Sequence, residues 1–283
     1  MEARREVLGV LQQLNIQPII IPPEASRHGG VETYADALRC AELFGNHRRD
    51  IQGVLVVLPN FGDEKGVTEA LRASGLNVPI LVQAYPDDLG QLGPERRRDA
   101  FCGKISVCNN LLQAGIRFSL TSRHVSLPSS KSFREDLDWF LRVCRVVKGL
   151  RHVRLGAVGA RPAAFNTVRY SERILERHGI SVTTVDLSEI FSRVDKLDLE
   201  ATEVRAKFNA INEYAPSVGV PREKLLQMAR FGVVLDQWME DNRIDATVVQ
   251  CWTSLQQNIG CNVCTLMSMM SEQLLPSACE VDV

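Results

Sequence analysis

The sequence feature that most constrains the fold is an alternation of short apolar runs with longer amphipathic segments. Runs such as "IQGVLVVLP", "VPILVQAY" and "VRLGAVG" are continuously hydrophobic, as strands are when helices cover both faces of their sheet. Helical patterns separate them, beginning with residues 2–14, and "IQPIII" at residues 16–21 is predicted as a further strand. Alternating strands and helices predict open parallel sheets. We therefore predict an α/β fold of two consecutive Rossmann-like open parallel-sheet domains.

The same pattern suggests where one domain ends and the next begins. It restarts near Gly149, after a long helix, which divides the chain into residues 1–148 and 149–283. Both parts fall near the usual domain size of about 100–200 residues. The chain opens on a helix where a doubly wound domain normally opens on a strand, and it closes on the predicted strand "PSACEVDV". We therefore expect a portion of a longer protein, whose first domain lacks its first strand.

Composition excludes several classes of protein. A formal net charge of −1 argues against a nucleic-acid binder that works through bulk electrostatics. Apolar stretches fall short of the roughly 20 residues that cross a bilayer, and the first residues lack the apolar core of a signal peptide. The cysteines, including the lone CxxC pair Cys261 and Cys264, lack framework spacing. That pattern is typical of reduced thiols in a cytoplasmic protein. From the charge and the short apolar stretches, we expect no nucleic-acid or membrane partner.

Candidate ligand-binding residues follow two of the predicted strands. In open α/β sheets, ligands bind outside the carboxyl ends of the strands. Arg161 and Asn166 follow "LGAVGA", and Trp252 follows "TVVQ". Arg161 could bind an anionic or hydroxylated ligand, or pair with a neighbouring carboxylate. Trp252 could stack on a sugar or pack in the core. The GxGxxG spacing is absent, so dinucleotide binding is not supported.

The last predicted strand carries an acidic pair. Side chains alternate between faces along a strand, so Glu280 and Asp282 are expected to point the same way. Such a pair could bind a cation, share a proton or face solvent. Carboxylate oxygens suit Mn²⁺ or Mg²⁺, which usually need further ligands or waters.

Several ordered sequence blocks together resemble one family. The chain is similar to the L-fucose/L-arabinose isomerase family, and most of all to L-fucose isomerase-like proteins, over essentially its whole length. The blocks that carry the resemblance are "LPNFGDEKG", "VPILVQAYPDD", "FCGKISVCNNL", "GARPAAFNTVRYSE", "QCWTSLQ" and "ACEVDV". The resemblance implies two Rossmann-like domains followed by a carboxy-terminal β-rich domain that this chain does not contain. It also implies a homo-oligomer that interconverts aldoses and ketoses with Mn²⁺ (or Mg²⁺).

The resemblance also implies roles for individual residues. Asp282 matches a metal-binding acidic position best, and Glu280 would be a second ligand or the base. The expected chemistry is proton transfer through an enediol on an open-chain sugar. The substrate contacts would be Arg161, Asn166 and Trp252.

The family pattern is incomplete in this chain. The stretch "TVVQCW" has no carboxylate where the resemblance implies a second acidic ligand, and the implied metal-binding histidine belongs to the third domain. Whether this chain is an enzyme is therefore left open. The alternative is a non-catalytic sugar-binding or assembly module.

Overall fold

A computed structural model describes residues 2–283 of the chain. The chain divides into two compact units, one that ends at Lys148 and a second that spans Gly149–Val283. Each unit contains a parallel β-sheet with helices between successive strands, so the predicted α/β fold class is confirmed. In the part of the chain that the structure describes, no helix combines the length and apolar character needed to cross a membrane.

The amino-terminal unit is built on a sheet with the strand order β1-β2-β3, and all its strands are parallel. Its central strand β2 is buried along its whole length, as expected where helices cover both faces. The strands are β1 (Val54–Leu58), β2 (Ile80–Ala84) and β3 (Ser119–Leu120), and the helices are α1 (Glu2–Gln13), α2 (Tyr34–Asn46), α3 (Glu64–Ser74), α4 (Ala100–Gln113) and α5 (Lys131–Leu150), the last of which runs past the unit boundary.

The strand predicted at residues 16–21 is wrong. This segment has no regular secondary structure and joins neither sheet. Pro18 has no N–H group to give to a ladder, which disfavours it inside a sheet. Instead, Ile21 is buried beside Ala37 in a small apolar cluster, and its carbonyl accepts a hydrogen bond from Arg4 Nη2 at 2.5 Å. Hydrophobicity alone therefore gave the wrong secondary structure here.

The carboxy-terminal unit has a sheet with the strand order β5-β4-β6-β7, again entirely parallel. Its elements in chain order are β4 (Arg154–Val158), α6 (Glu172–Arg177), β5 (Ser181–Val185), α7 (Leu187–Lys196), α8 (Thr202–Tyr214), α9 (Arg222–Asn242), β6 (Ala246–Val249), α10 (Ser254–Asn258), α11 (Cys264–Glu272) and β7 (Ser277–Cys279). The chain leaves β4 for β5 on one side and later returns to place β6 on the other. The strand order therefore reverses between β4 and β6.

Close packing of α9 against β4 depends on a glycine. A Cβ added at Gly156 would lie 2.6 Å from a ring atom of Trp238 and 2.9 Å from Ile244 Cγ2. Trp238 is buried and belongs to the main apolar cluster of this unit. Because only a glycine leaves room for the indole, this position fixes how closely the helix approaches the sheet.

Candidate functional site

The candidate site lies at the carboxyl ends of β4 and β6. In open α/β sheets, a reversal of strand order separates the loops that follow the two strands and leaves a crevice there. The loop after β4 contains Arg161 and Asn166, and the loop after β6 contains Trp252. The sequence-predicted substrate residues therefore follow the two strands that flank this reversal. Their roles in binding stay predictions.

Gln250 joins the two loops. Its Oε1 accepts a hydrogen bond from the backbone N–H of Ala160 at 2.8 Å, and its Nε2 donates to the carbonyl of Trp252 at 3.1 Å. Gly159 has a φ of +89°, and a Cβ there would lie 2.5 Å from Gln250 Oε1. Glycine is therefore needed at 159 both for the backbone conformation and for the bridge. Sequence reasoning missed this role, although a polar residue directly after a buried strand was a signal for it.

Two aromatic rings and a guanidinium lie in the same pair of loops. The rings of Phe165 and Trp252 are 5.5 Å apart between centroids and inclined by 45°, a favourable tilted arrangement. Arg161 Nη1 donates to the Phe165 carbonyl at 2.6 Å and lies 3.4 Å from Asn166 Oδ1. Trp252 is 53% exposed and Arg161 is also exposed. The surface that results offers an aromatic face beside a cation.

The predicted geometry of the terminal acidic pair is wrong. Strand β7 ends at Cys279, and both Glu280 and Val281 have a φ of +59°, so the chain turns and strand alternation does not apply. Val281 is buried in a small apolar cluster, and this packing stabilises the turn. Glu280 is half-buried, whereas Asp282 is exposed. Both carboxylates still follow the strand next to β6, but nothing pairs them on one face.

Glu280 lies against a group of cysteines. The Sγ atoms of Cys251, Cys264 and Cys279 all lie within 4.8 Å of one another. Cys251 Sγ is 2.9 Å from Glu280 Oε1 and 3.0 Å from Cys279 Sγ. Glu280 Oε2 is buried and has no hydrogen-bond partner among residues 2–283. We name Cys251, Cys264, Cys279 and Glu280 the thiol–carboxylate cluster.

Electrostatics explain the protonation of this cluster. Burial, followed by the hydrogen bond to Glu280, raises the pKa of Cys251 far above that of an ordinary thiol. Burial and the neighbouring Cys279 also raise the pKa of Cys264. Cys251 and Cys264 are therefore protonated at neutral pH, and the Cys251 S–H group donates to the Glu280 carboxylate.

The residues around Glu280 do not suit the metal that the sequence led us to expect. Mn²⁺ and Mg²⁺ prefer oxygen ligands, and the side-chain contacts of Glu280 Oε1 in the described residues are with the thiols of Cys251 and Cys279. Asp282, by contrast, offers an exposed carboxylate one residue beyond the buried Val281. The role of Asp282 as a metal ligand stays a prediction.

Two consecutive parallel-sheet units, with polar loops that meet at a reversal of strand order, define an α/β protein with a candidate ligand site at a sheet edge. A family model described as "Fucose/sulfoquinovose isomerase, N-terminal domain" matches residues 1–151, which is more than half of the chain. The chain belongs to this family of sugar isomerases. The match confirms the resemblance predicted from the sequence blocks.

Curated relatives give the same assignment at low identity. The chain is 24% identical over 157 residues to a sulfoquinovose isomerase from Priestia aryabhattai, a match that covers 55% of the chain and 35% of the relative. It is 24% identical over 195 residues to a sulfoquinovose isomerase from Clostridium sp. (strain MSTE9), which covers 68% and 42% respectively. The matched segments therefore cover less than half the length of these relatives.

Proposed function

We propose that this chain is the two-domain amino-terminal part of an aldose–ketose isomerase that moves a proton through an enediol on an open-chain sugar. The match of residues 1–151 to the fucose/sulfoquinovose isomerase family is the observation that carries the proposal. The carboxyl edge of the second sheet supports it, because an aromatic face and a guanidinium beside it suit a sugar.

In this proposal three exposed residues at the carboxyl edge of the second sheet contact the sugar. Trp252 stacks on the apolar face of the sugar, and Arg161 and Asn166 bind its oxygens. Sulfoquinovose is the first substrate to test, because the relatives bear its name and it carries a sulfonate that a guanidinium can bind. All the Arg161 contacts named above use Nη1, so the rest of this exposed group can reach a ligand.

The cofactor and the assembly belong to the proposal as well. A divalent ion such as Mn²⁺ (or Mg²⁺), when bound, would polarise the C1 and C2 oxygens of the sugar. Asp282 is the residue of this chain that we propose to hold it, whereas Glu280 serves the thiol–carboxylate cluster. A homo-oligomer is expected from the resemblance alone.

The test is an isomerisation assay with matched variants. The full-length protein, of which we propose this chain to be the amino-terminal part, is incubated with Mn²⁺ and sulfoquinovose, L-fucose or L-arabinose, and ketose formation is followed by NMR. We expect turnover of at least one sugar, and Trp252→Ala weakens its binding about 2- to 10-fold. The control is Trp139→Ala, which changes a tryptophan that is also exposed, on α5 in the other unit. Failure of every sugar to yield a ketose argues against the proposal.

A second pair of variants tests the sugar headgroup. Arg161→Met should weaken sulfoquinovose binding about 10-fold or more, because a charge-assisted hydrogen bond is lost, and should affect L-fucose less. Arg169→Met is the control, because Arg169 is exposed in the same loop and donates to the Asn166 carbonyl.

A second candidate function is a sugar-binding or assembly module without catalysis. It is favoured by Cys251, a thiol in contact with Glu280 in the stretch where the resemblance implies a second carboxylate. Calorimetry separates the two functions. Sugar binding that is independent of Mn²⁺ and gives no ketose favours the module.

A further inference from the structure

Three cysteines and a glutamate converge from separate parts of the chain. Cys251 follows β6, Cys279 ends β7, and Cys264 is the first residue of α11. The β6–β7 pairing, with Val249 opposite Cys279, brings the first two together at the sheet edge. We propose that Cys251, Cys264, Cys279 and Glu280 form a Zn²⁺ site, unlike the oxygen-ligand site expected for Mn²⁺.

The number and type of donors fit zinc. Structural Zn²⁺ is tetrahedral and is commonly bound by cysteine thiolates with Zn–S distances near 2.3 Å. That geometry separates the sulfur atoms by about 3.8 Å. The Sγ atoms here lie within 4.8 Å of one another, with Cys251 and Cys279 at 3.0 Å, so shifts of about 1 Å or less would give the three sulfur atoms this separation. Soft thiolates select Zn²⁺ over Mn²⁺ or Mg²⁺.

Glu280 supplies the fourth donor. Its Oε1 lies 2.9 Å from Cys251 Sγ and 3.8 Å from Cys279 Sγ, so it stands beside two of the proposed ligands. Its Oε2 is buried without a hydrogen-bond partner in the described residues, a costly state for a carboxylate that a cation would relieve. The positive φ at Glu280 turns the chain after β7 at this point.

The site has an access route from solvent. Cys251 is buried, but Cys264 is exposed, so an ion can reach the cluster. On binding, three S–H bonds break, three Zn–S bonds form, and three protons pass to solvent. A Cys251–Cys279 disulfide, by contrast, would leave Cys264 and Glu280 without a role.

The experiment measures metal binding rather than turnover, so it stands or falls separately from the isomerase proposal. The protein is reduced, stripped of metal, desalted and titrated with Zn²⁺, and with Co²⁺ as a spectroscopic substitute. We expect one ion per chain, a thiolate-to-Co²⁺ charge-transfer band, and a higher Tm with Zn²⁺. Zn²⁺ should also protect Cys264 from alkylation.

Matched variants decide which residues bind the ion. Cys264→Ser should weaken Zn²⁺ binding about 100-fold or more and abolish the rise in Tm. Cys102→Ser is the control, because Cys102 is equally exposed but lies in the other unit. It should bind as the wild type does. Glu280→Cys should retain Zn²⁺ binding through four thiolates. Retained binding in this variant would show that a substitution within the cluster does not by itself disrupt the fold.

Several outcomes would overturn the proposal. One is a Co²⁺ titration that produces no thiolate band. Another is wild-type affinity in Cys264→Ser. A third is a Cys251–Cys279 disulfide found by mass spectrometry in protein prepared with reductant, because those sulfurs would then not be available as ligands.

Discussion

Replacing Gln250 by alanine breaks the bridge between the loops that follow β4 and β6. The variant loses the acceptor of the Ala160 N–H group at 2.8 Å and the donor to the Trp252 carbonyl at 3.1 Å. A hydrogen bond of this kind contributes about 0.5–1.5 kcal/mol net. Loss of the first bond should therefore speed hydrogen exchange at the Ala160 amide about 2- to 12-fold, as measured by NMR.

Two controls make this prediction specific. Gln250→Glu keeps an oxygen for the Ala160 N–H group, so exchange there should stay near the wild-type rate while the contact to Trp252 is lost. The Asp245 amide donates to the Arg154 carbonyl at the other end of the strands and should not change in either variant. Unchanged exchange at Ala160 in Gln250→Ala would refute the role we give to the bridge.

Two further predictions concern stability. Gly156→Ala should destabilise the protein by about 1–3 kcal/mol because the new Cβ overlaps the Trp238 ring, whereas Gly9→Ala, with open space around it on α1, should stabilise it by about 0.5–1 kcal/mol. Urea unfolding measures both, and equal effects of the two substitutions would contradict the packing argument. The hydrogen bond from the Thr33 hydroxyl lowers the pKa of Asp36 below its ordinary value of 3.8. Its stabilising contribution is therefore full above pH 3.8 and lost as the pH falls through the lower folded-state pKa. Asp36→Asn should flatten this acid limb in a pH series of urea unfolding, and an unchanged limb would count against the cap.

Much of the fold could be predicted because the strands of a parallel sheet have a recognisable local sequence pattern. Strands covered on both faces are continuous apolar runs, so β1, β2 and β4 stand out between amphipathic helices. The same rule failed at residues 16–21, where apolar side chains serve a loop that packs on helices. Apolar residues indicate that a segment is buried. They do not show whether the segment is hydrogen-bonded to a neighbouring strand.

The candidate site could be predicted only in part. The position of Arg161, Asn166 and Trp252 after β4 and β6 could be predicted because position after a strand is a local signal, whereas their roles in binding stay predictions. The thiol–carboxylate cluster was not, because Cys251 and Cys279 lie 28 residues apart and meet only once β6 and β7 pair. The CxxC spacing pointed at Cys264, which belongs to the cluster, and at Cys261, which packs against the main apolar cluster instead. Local spacing therefore indicated one member of the cluster, and the pairing of β6 with β7 decides which other side chains meet it.

The strand order of the second sheet has a consequence for how the protein is made. Arg154 on β4 is hydrogen-bonded to Asp245, 91 residues later in the chain, just before its neighbour β6 begins. At ribosomal rates of about 5–20 residues per second, roughly 5–18 s pass between the synthesis of β4 and the synthesis of β6. During that interval β4 has at most one neighbouring strand, β5, and its other edge is unpaired. The nascent chain therefore has an unpaired strand edge for several seconds. That time is long enough for a chaperone to bind the edge or for another nascent chain to pair with it.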